Sequence, residues 1–375
     1  KLSKRDMAMD IQEKNEFFAV IMAGGGGTRL WPWSRKEKPK QMLKIFGEKT
    51  MFELTLDRLE GLIDADHILV VTTNEQAEKL KELSDKIPLE NYLIEPIPRG
   101  TASVIGLAAI HLEKRTKNSV MAVLTADHII QNVPYFQQLL HFGFNAAEDD
   151  YLVTLGIKPT FPSTGMGYIE QGNKIPANFP HDLFEVKRFT EKPDQKTADC
   201  FYESGKYAWN SGMFLWKTSR VLEEISLHIP DLFGKLTRIS QAMDSGTYET
   251  AMKEVWSTIQ PVTIDYGIME KAKRVVVLPA NSLGWSDIGS WDSIYDVLPQ
   301  DSNGNITINC RSHYIDSEGT LTCSDNSEKM IVAVGLKNVV IVETDHAVLV
   351  CPKEKTQTVR DIVAFLKENH LDNYL

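Results

Sequence analysis

The sequence contains few cysteines and no clustered metal ligands. Its four cysteines form no CxxC pair, and they are Cys200, Cys310, Cys323 and Cys351. There is no HExxH motif and no Cys/His cluster of the kind that builds a structural zinc site. We therefore expect free, mostly buried thiols in a reducing, cytoplasmic environment.

Long apolar runs and excess positive charge are missing as well. The longest apolar run near the start, residues 17–23, is too short to span a bilayer. The charged residues before it contain no apolar signal-peptide core. A net charge of −10 argues against the broad basic surface that nucleic acids require. We expect neither a membrane nor a nucleic-acid partner, although a few local cations can still bind a small anion.

Apolar strands alternate with helical patterns over residues 17–160. The predicted strands span residues 17–22, 67–73, 91–95, 119–127 and 151–157. The predicted helices span residues 51–62, 74–84, 101–115 and 134–147, with Thr101 as the N-cap of the third. Continuous apolar strands between helices predict an α/β fold with a doubly wound, mostly parallel, Rossmann-like sheet covered on both faces.

A chain of 375 residues is long enough for two domains. Residues 160–300 look less regular, with short strands and helices between turn clusters. After Pro299 the sequence predicts short strands, including residues 329–335 and 338–352, and a last helix near 356–369. We expect three parts, which are a polar N-terminal extension (1–16), a catalytic domain (17–297) and a small β-rich domain with a terminal helix (298–375).

The first strand runs directly into four glycines, Gly24 to Gly27. Glycines in this position let the backbone approach a phosphate and point N–H groups at it. Two familiar phosphate loops do not match. A GxGxxG motif would need glycine where Arg29 or Leu30 stands, and a Walker A motif would need Lys-Ser or Lys-Thr there. The loop therefore belongs neither to a dinucleotide dehydrogenase nor to a P-loop NTPase.

Five basic residues follow the glycines, namely Arg29, Arg35, Lys36, Lys38 and Lys40. Fixed cations beside backbone donors suit a triphosphate and the charge that develops when its α-phosphorus is attacked. Each basic residue alone is more often a solvated surface charge. We select Arg29 and Lys40 as the functional pair.

Residues 23–43, AGGGGTRLWPWSRKEKPKQML, closely resemble the signature of the mannose-1-phosphate guanylyltransferases. The resemblance extends over residues 17–297. The tail is similar, more loosely, to the small left-handed β-helix of that family, which often mediates dimerisation. The resemblance implies a nucleotide-binding loop made of Ala23, Gly24, Gly25, Gly26, Gly27 and Thr28.

Asp127 ends a predicted strand, where doubly wound sheets place their ligands. A carboxylate there suits Mg²⁺, although position alone would equally allow a helix cap or a turn. The Ala-Asp-His segment resembles the family pattern and implies that Asp127 is a metal ligand. WSDIGSWD (285–292) resembles the segment that supplies the second carboxylate, at Asp287. Asp292 is expected to be structural.

Three further segments resemble family motifs for the sugar phosphate. The resemblance implies that Lys192 holds the phosphate, that Glu191 and Asn210 bind sugar hydroxyls, and that Gly167 allows close packing. Asp265, in IDYGIMEK, either faces the sugar or serves as a helix N-cap.

The family reads the guanine base around residues 95–103, EPIPRGTAS. The resemblance implies binding residues Glu95, Arg99, Gly100 and Thr101. The chain departs from the usual pattern, with Gly100 where asparagine is common and Ser103 where proline is common. This departure leaves open a preference for a base other than guanine.

The expected activity is Mg²⁺-dependent transfer of GMP from GTP to α-D-mannose 1-phosphate, giving GDP-mannose and pyrophosphate, by a homodimer. One alternative is the same chemistry with another hexose 1-phosphate or nucleoside triphosphate. Another is a regulatory subunit that binds sugar nucleotide without catalysis, yet Arg29, Lys40, Asp127 and Lys192 are all present. A scaffolding protein would leave the glycine loop unexplained. Because the chain stops at Leu375, we expect no isomerase activity.

Overall fold

The computed structural model describes residues 16–176 and 181–375. The predicted N-terminal extension therefore lies outside the described residues, apart from Glu16. Within the described ranges, no helix has the length and apolar character needed to cross a membrane. The chain forms two compact units. Unit 1 takes the chain up to Gly24, Arg58–Thr125 and Ile130–Trp285, and unit 2 takes Gly25–Asp57, Ala126–Ile129 and Ser286–Leu375.

The units are divided by contacts in space, so the boundary predicted after residue 297 remains a prediction. The strands are β1 (Phe17–Met22), β2 (Ile68–Thr73), β3 (Tyr92–Glu95), β4 (Val120–Thr125), β5 (Ile129–Ile130), β6 (Leu152–Ile157), β7 (Tyr168–Lys174), β8 (Phe184–Thr190), β9 (Tyr207–Lys217), β10 (Val275–Pro279), β11 (Trp285–Ser286), β12 (Ile306–Ile308), β13 (Arg311–Ile315), β14 (Leu321–Ser324), β15 (Met330–Val334), β16 (Val339–Glu343) and β17 (Val348–Pro352). The α-helices are α1 (Met51–Asp57), α2 (Asn74–Leu83), α3 (Thr101–Arg115), α4 (Val133–Glu148), α5 (Gln195–Ser204), α6 (Thr218–His228), α7 (Pro230–Ser245), α8 (Tyr248–Trp256) and α9 (Val359–Glu368).

Unit 1 contains a nine-stranded sheet in the order β3-β2-β1-β4-β9-β6-β10-β8-β7. Strand β1 pairs in parallel with β2 and β4, and β6 pairs in parallel with β10. Strand β9 runs antiparallel between β4 and β6, and β8 and β7 form an antiparallel edge. The predicted parallel arrangement is thus present in β1–β4, and strands from the less regular region extend it.

Residues 160–300 are more regular than predicted, because α6, α7 and α8 follow one another almost without loops. Their apolar residues recur every three or four positions, as with Val221 and Ile225 on α6 and Leu232 and Leu236 on α7. This face packs into the same buried cluster as α3. The periodicity was present in the sequence, but the turn clusters before it obscured it.

One predicted helix boundary and one predicted N-cap are wrong. Helix α1 ends at Asp57 rather than residue 62. Helix α3 begins at Thr101, and its N-cap is Gly100 rather than Thr101. The Thr101 hydroxyl accepts a hydrogen bond from the N–H of Ile264 at 2.8 Å, so it is engaged with a different segment of the chain.

Unit 2 contains the C-terminal strands. Parallel ladders join β12, β14 and β16 on one side and β13 and β15 on another, and a parallel bridge joins Glu318 to Lys337 on a third. Such repeated parallel pairing between successive turns is the architecture of a β-helix. The predicted strand at 338–352 is in fact the antiparallel pair β16 and β17. The interior is apolar, with Leu321, Val340 and Val342 fully buried.

Candidate active site

The four glycines meet different requirements. A Cβ atom at Gly24 would lie 2.7 Å from Oε1 of Glu95, and one at Gly27 would lie 2.7 Å from Cβ of Lys40. Gly27 also adopts a left-handed conformation, with φ 51°. Around Gly25 and Gly26, no described atom lies within 4 Å of an added Cβ. The internal packing therefore does not explain these two glycines, whereas the approach of a ligand to the backbone would.

The residues flanking the glycines differ in role. The N–H of Ala23 donates to the carbonyl oxygen of Val71 at 2.8 Å, so Ala23 continues the sheet. Thr28 begins a short 3₁₀ turn, Thr28–Leu30, which carries the exposed Arg29. The loop thus passes from a fixed strand to a cation within seven residues.

Lys40 occupies the centre of the predicted phosphate site in unit 2. Its side chain is 7% exposed, and its Nζ donates to Oδ2 of Asp127 at 3.0 Å and to the main-chain oxygen of Asp287. The next residue, Gln41, donates from Nε2 to the carbonyl oxygen of Gly25 at 3.3 Å. The structure therefore brings Lys40 together with both predicted carboxylate residues and the glycine loop.

Asp127 is a partly exposed carboxylate in a positive field. Burial on its own raises its pKa, but the charges of Lys40, His128 and Arg29 and the hydrogen bond from Lys40 outweigh burial and lower the pKa. Its side chain is 37% exposed, which leaves it accessible. An accessible carboxylate that stays ionised at neutral pH is suited to a divalent cation.

Asp287 and Arg29 flank Gly289. A Cβ at Gly289 would lie 3.0 Å from Oδ2 of Asp287 and 3.2 Å from Nη1 of Arg29. Between Asp287 and Gly289 in the chain, the fully buried Ile288 has φ 39°, a conformation that β-branched residues avoid. Such conformations cost on the order of 1–3 kcal/mol and cluster at functional sites. The strain is consistent with a functional role for the Asp287 segment.

The donor set fits Mg²⁺ better than a metal enclosed by protein. Among the described residues, no group of three or more His, Cys, Asp or Glu side chains could enclose a metal ion. Mg²⁺ commonly takes one or two carboxylates and completes its shell with water and substrate phosphates. Asp127 and Asp287 would supply that number of hard oxygen ligands.

In unit 1, Glu95 ends β3 and lies against Gly24. It is 3% exposed, the main-chain N–H of Arg99 donates to it, and its Oε2 has no hydrogen-bond partner among the described atoms. Burial raises the pKa of Glu95 to about 7, partly offset by the Arg99 hydrogen bond. A buried acceptor left without a donor is costly to the protein alone and useful for a ligand that donates.

The rest of the predicted base segment, residues 99–101, packs against and bonds to main-chain atoms of residues 257–264. Gly100 has φ 82° and ψ 164°, and an added Cβ would lie 2.8 Å from the carbonyl carbon of Val262. The departure from asparagine at this position therefore has a packing cause. Arg99 donates from its guanidinium to the main-chain oxygen of Ser257, and Thr101 bonds Ile264.

The predicted sugar-phosphate residues lie together in unit 1. Asn210 donates from its main-chain N–H to the oxygen of Gly167 at 2.8 Å and from Nδ2 to Oδ1 of Asp265 at 2.7 Å. The side chain of Glu191 covers Gly167, where any Cβ would collide with Oε2. Lys192 pairs with Glu191, is 61% exposed and has φ 45°. The cluster combines one exposed cation with carboxylates and an amide.

Asp265 belongs to this cluster, and the N-cap alternative is wrong. It is the first residue of a π-helical turn, Asp265–Met269, and its side chain makes no capping bond. Burial raises the pKa of Asp265, and the nearby Glu191 raises it further. Gln41, in contrast, is a residue that the sequence reasoning left out. The motifs that contain Asp265 and Gln41 were visible, but their contact partners lie elsewhere in the chain.

Two predicted non-functional residues have structural partners. Lys38 pairs with Asp325 at 2.8 Å. Asp292 accepts a hydrogen bond from the Thr356 hydroxyl at 2.8 Å, which agrees with its predicted structural role. The four cysteines are all free thiols, but only Cys323 is buried, so the expectation of mostly buried thiols is wrong.

Comparison with known proteins gives consistent matches. The family model for nucleotidyl transferase matches residues 18–304, and that for the MannoseP isomerase/GMP-like beta-helix domain matches residues 312–366. A mannose-1-phosphate guanylyltransferase of Klebsiella pneumoniae is 38% identical over 361 residues, which cover 95% of this chain and 75% of the relative. The alginate biosynthesis protein AlgA of Pseudomonas putida is 36% identical over 371 residues, covering 95% and 74%.

A solved structure is similar over nearly the whole chain. It is the crystal structure of a mannose-1-phosphate geranyltransferase from Thermus thermophilus, with a TM-score of 0.84 and 30% identity. The match covers 94% of this chain and 99% of that one. The similarity therefore includes both the sheet and the β-helix.

Proposed function

Because this chain belongs to the nucleotidyl transferase family, we propose that it transfers GMP from GTP to α-D-mannose 1-phosphate, giving GDP-mannose and pyrophosphate. The observation that carries the proposal is the meeting of Lys40, Asp127 and Asp287 beside two glycines that packing leaves open. That arrangement suits a triphosphate, and the relatives of known activity act on mannose 1-phosphate.

In the proposed mechanism, residues of unit 2 hold the triphosphate. The N–H groups of Gly25 and Gly26 face its oxygens, and Arg29 and Lys40 stabilise the charge that develops on it and on the departing pyrophosphate. A bound Mg²⁺, held by Asp127 and Asp287, would supply further positive charge at the phosphates. Because the buried Lys40 is held by hydrogen bonds before reaction, little reorganisation of its charge is required.

Residues of unit 1 are proposed to bind the base and the sugar phosphate. Glu95 accepts hydrogen bonds from the adjacent N–H donors of guanine, Lys192 binds the sugar phosphate, and Glu191 and Asn210 bind sugar hydroxyls. An oxygen of the sugar phosphate attacks the α-phosphorus, a new P–O bond forms, and the bond to the bridging oxygen of pyrophosphate breaks. A phosphate monoester is already nucleophilic near neutral pH, so no protein nucleophile is needed.

The test is pyrophosphate release by the purified chain with Mg²⁺ and each of four nucleoside triphosphates against mannose, glucose and N-acetylglucosamine 1-phosphates. We expect release with GTP and mannose 1-phosphate only. Release with a different pair would retain the chemistry and overturn the specificity. Folded protein that binds nucleotide but releases none with any pair would favour the regulatory alternative.

The metal assignment has its own test. Asp127→Asn removes the charge at nearly constant volume, so Mg²⁺-dependent turnover should fall by about 100-fold or more, as for other groups that stabilise charge in the transition state. Lys38→Met is the matched control, because Lys38 is a cation of the same loop that pairs with Asp325. Full turnover in Asp127→Asn would refute the assignment.

We also propose a cytoplasmic homodimer formed through the β-helix. The outward face of β15 is apolar, with Met330, Val332 and Val334 between 53% and 58% exposed, and Ile315 of β13, 44% exposed, extends it. Val332→Lys should shift the molar mass measured by light scattering from dimer to monomer. A lysine at the exposed Ser302 should leave it unchanged. The free thiols suit a reducing compartment.

A further inference from the structure

A short segment of unit 1 links the base-binding residues to the sugar-phosphate cluster. The N–H of Ala102 donates to the oxygen of Val262 at 3.1 Å, and the N–H of Val262 donates to the oxygen of Arg99 at 3.3 Å. The third bond is different, because the N–H of Ile264 donates to a side chain, the hydroxyl of Thr101, at 2.8 Å. Arg99 and the first two residues of α3 thereby hold Val262 and Ile264.

The bond from Ile264 has a specific structural use. Ile264 is the N-cap of the π-helical turn that begins at Asp265, and the turn has no capping side chain of its own. The N–H groups at the start of a helix have no partner within it. Ile264 is 1% exposed, so its N–H cannot rely on bulk water. Thr101 therefore supplies, from a distant helix, the cap that this turn lacks.

The capped turn orients Asp265. Oδ1 of Asp265 accepts from Nδ2 of Asn210 at 2.7 Å, and the N–H of Asn210 donates to Gly167 at 2.8 Å. The Thr101 hydroxyl is therefore hydrogen-bonded to Ile264, and the next residue in the chain, Asp265, is hydrogen-bonded to Asn210, one of the residues proposed to face the sugar.

We propose that Thr101 is a positioning residue for the sugar phosphate and not a nucleotide ligand. Its hydroxyl holds the 262–265 segment so that Asp265 meets Asn210, and it does so from the helix whose preceding loop is proposed to read the base. The inference rests on the proposed function, because it takes the Asn210 cluster as the sugar-phosphate side. It revises the sequence-based prediction that Thr101 binds nucleotide.

The kinetic test compares three variants of the full chain. Thr101→Val keeps the branched shape and removes the hydroxyl, Thr101→Ser restores it, and Ser103→Ala removes a neighbouring hydroxyl that bonds the oxygen of Arg99 at 3.0 Å. In Thr101→Val the KM for mannose 1-phosphate should rise about five-fold, as for the loss of one net hydrogen bond. The KM for GTP should stay within about two-fold. Thr101→Ser should behave as wild type, and Ser103→Ala should not alter the KM for mannose 1-phosphate.

Other kinetic outcomes overturn the proposal. A rise in the KM for GTP alone would make Thr101 a nucleotide contact. Equal rises in both constants would make it an ordinary structural residue, and no change in either would remove its role.

A second measurement does not depend on turnover. Amide hydrogen exchange of residues 264–266 should be faster in Thr101→Val than in wild type or Ser103→Ala, because the Ile264 N–H has lost its acceptor. Unchanged exchange would overturn the proposal. If wild-type protein releases no pyrophosphate, the proposed function fails, while the exchange result still decides whether Thr101 holds the turn.

Discussion

Replacing Glu95 by glutamine should make the protein more stable at alkaline pH. Burial raises the pKa of this carboxyl from an ordinary 4.5 to about 7, so the folded protein holds more protons than the unfolded chain between these values. Stability therefore falls as pH rises through this window and stays low above it. At 3% exposure solvent screens little of the effect, which amounts to about 3 kcal/mol.

The assay is urea denaturation of wild type and Glu95→Gln at intervals from pH 5 to pH 8. Glutamine has the same shape and does not titrate, so the difference between the two curves isolates the carboxyl. The difference between the two curves should change by up to about 3 kcal/mol across this range, against wild type as the pH rises. The unpaired amide lowers the stability of the variant by the same amount at every pH, so it does not alter that change. Glu90→Gln, at an exposed position just before β3, should follow the wild-type curve. Parallel wild-type and Glu95→Gln curves would refute the reasoning.

The same substitution should act in the opposite direction on binding. An ionised Glu95 accepts from both donors of a guanine edge, whereas an amide offers one acceptor and one competing donor. The KM for GTP should therefore rise in the more stable variant, by about ten-fold or more for loss of a charge-assisted hydrogen bond. A gain in stability with a loss of affinity is the behaviour of a group retained for function. An unchanged KM for GTP would remove Glu95 from the base site.

Three further substitutions test other parts of the structure. Gly27→Ala places a methyl group 2.7 Å from Cβ of Lys40, so the rate of pyrophosphate release should fall strongly while the melting temperature changes little. A loss of rate that merely accompanies a large fall in melting temperature would contradict a role in positioning Lys40. Gly100→Asn puts a side chain against the Val262 backbone at φ 82°, and calorimetry should show destabilisation of about 2 kcal/mol or more; a neutral result would mean that the loop is free to move. Burial lowers the pKa of His111 to about 4. As the pH falls from 6.5 to 4, the free energy of unfolding of wild type should therefore decrease by about 3 kcal/mol relative to that of His111→Gln. Urea denaturation that gives the same pH dependence for both proteins would contradict this prediction.

The first half of the fold could be predicted closely from local pattern. Strand β1 has the predicted bounds, and the other four predicted strands, which are β2, β3, β4 and β6, agree to within one or two residues at each end. Strands buried on both faces are continuous apolar runs, so their ends coincide with the first polar residues. The fold class and the family resemblance of residues 23–43 are confirmed by the matches to relatives.

The parts that sequence reasoning missed depend on distant contacts. The helix-cap alternative for Asp265 is wrong because Ile264 takes that place, and the side chain of Asp265 instead accepts from Asn210, 55 residues earlier in the chain. Threonine is a residue type that is common at N-caps, but the N-cap of α3 is Gly100, where the backbone passes too close to Val262 for a side chain. Neither outcome is encoded in a local period, because the partners come together only when the sheet has formed.

The β-helix has a consequence for the phosphate loop that is separate from dimerisation. Trp31 and Trp33 lie in the chain between Arg29 and Lys40, and both are buried in a core shared with the β-helix strands and α9. The indole N–H of Trp31 donates to the oxygen of Tyr374 at 2.6 Å, and that of Trp291 donates to the oxygen of Trp31 at 3.1 Å. The side chains of Arg29 and Lys40, which are proposed to bind the triphosphate, can be positioned precisely only when the segment that carries them has a rigid support. The C-terminal strands provide it, so changes in the β-helix core should lower turnover even where the dimer persists.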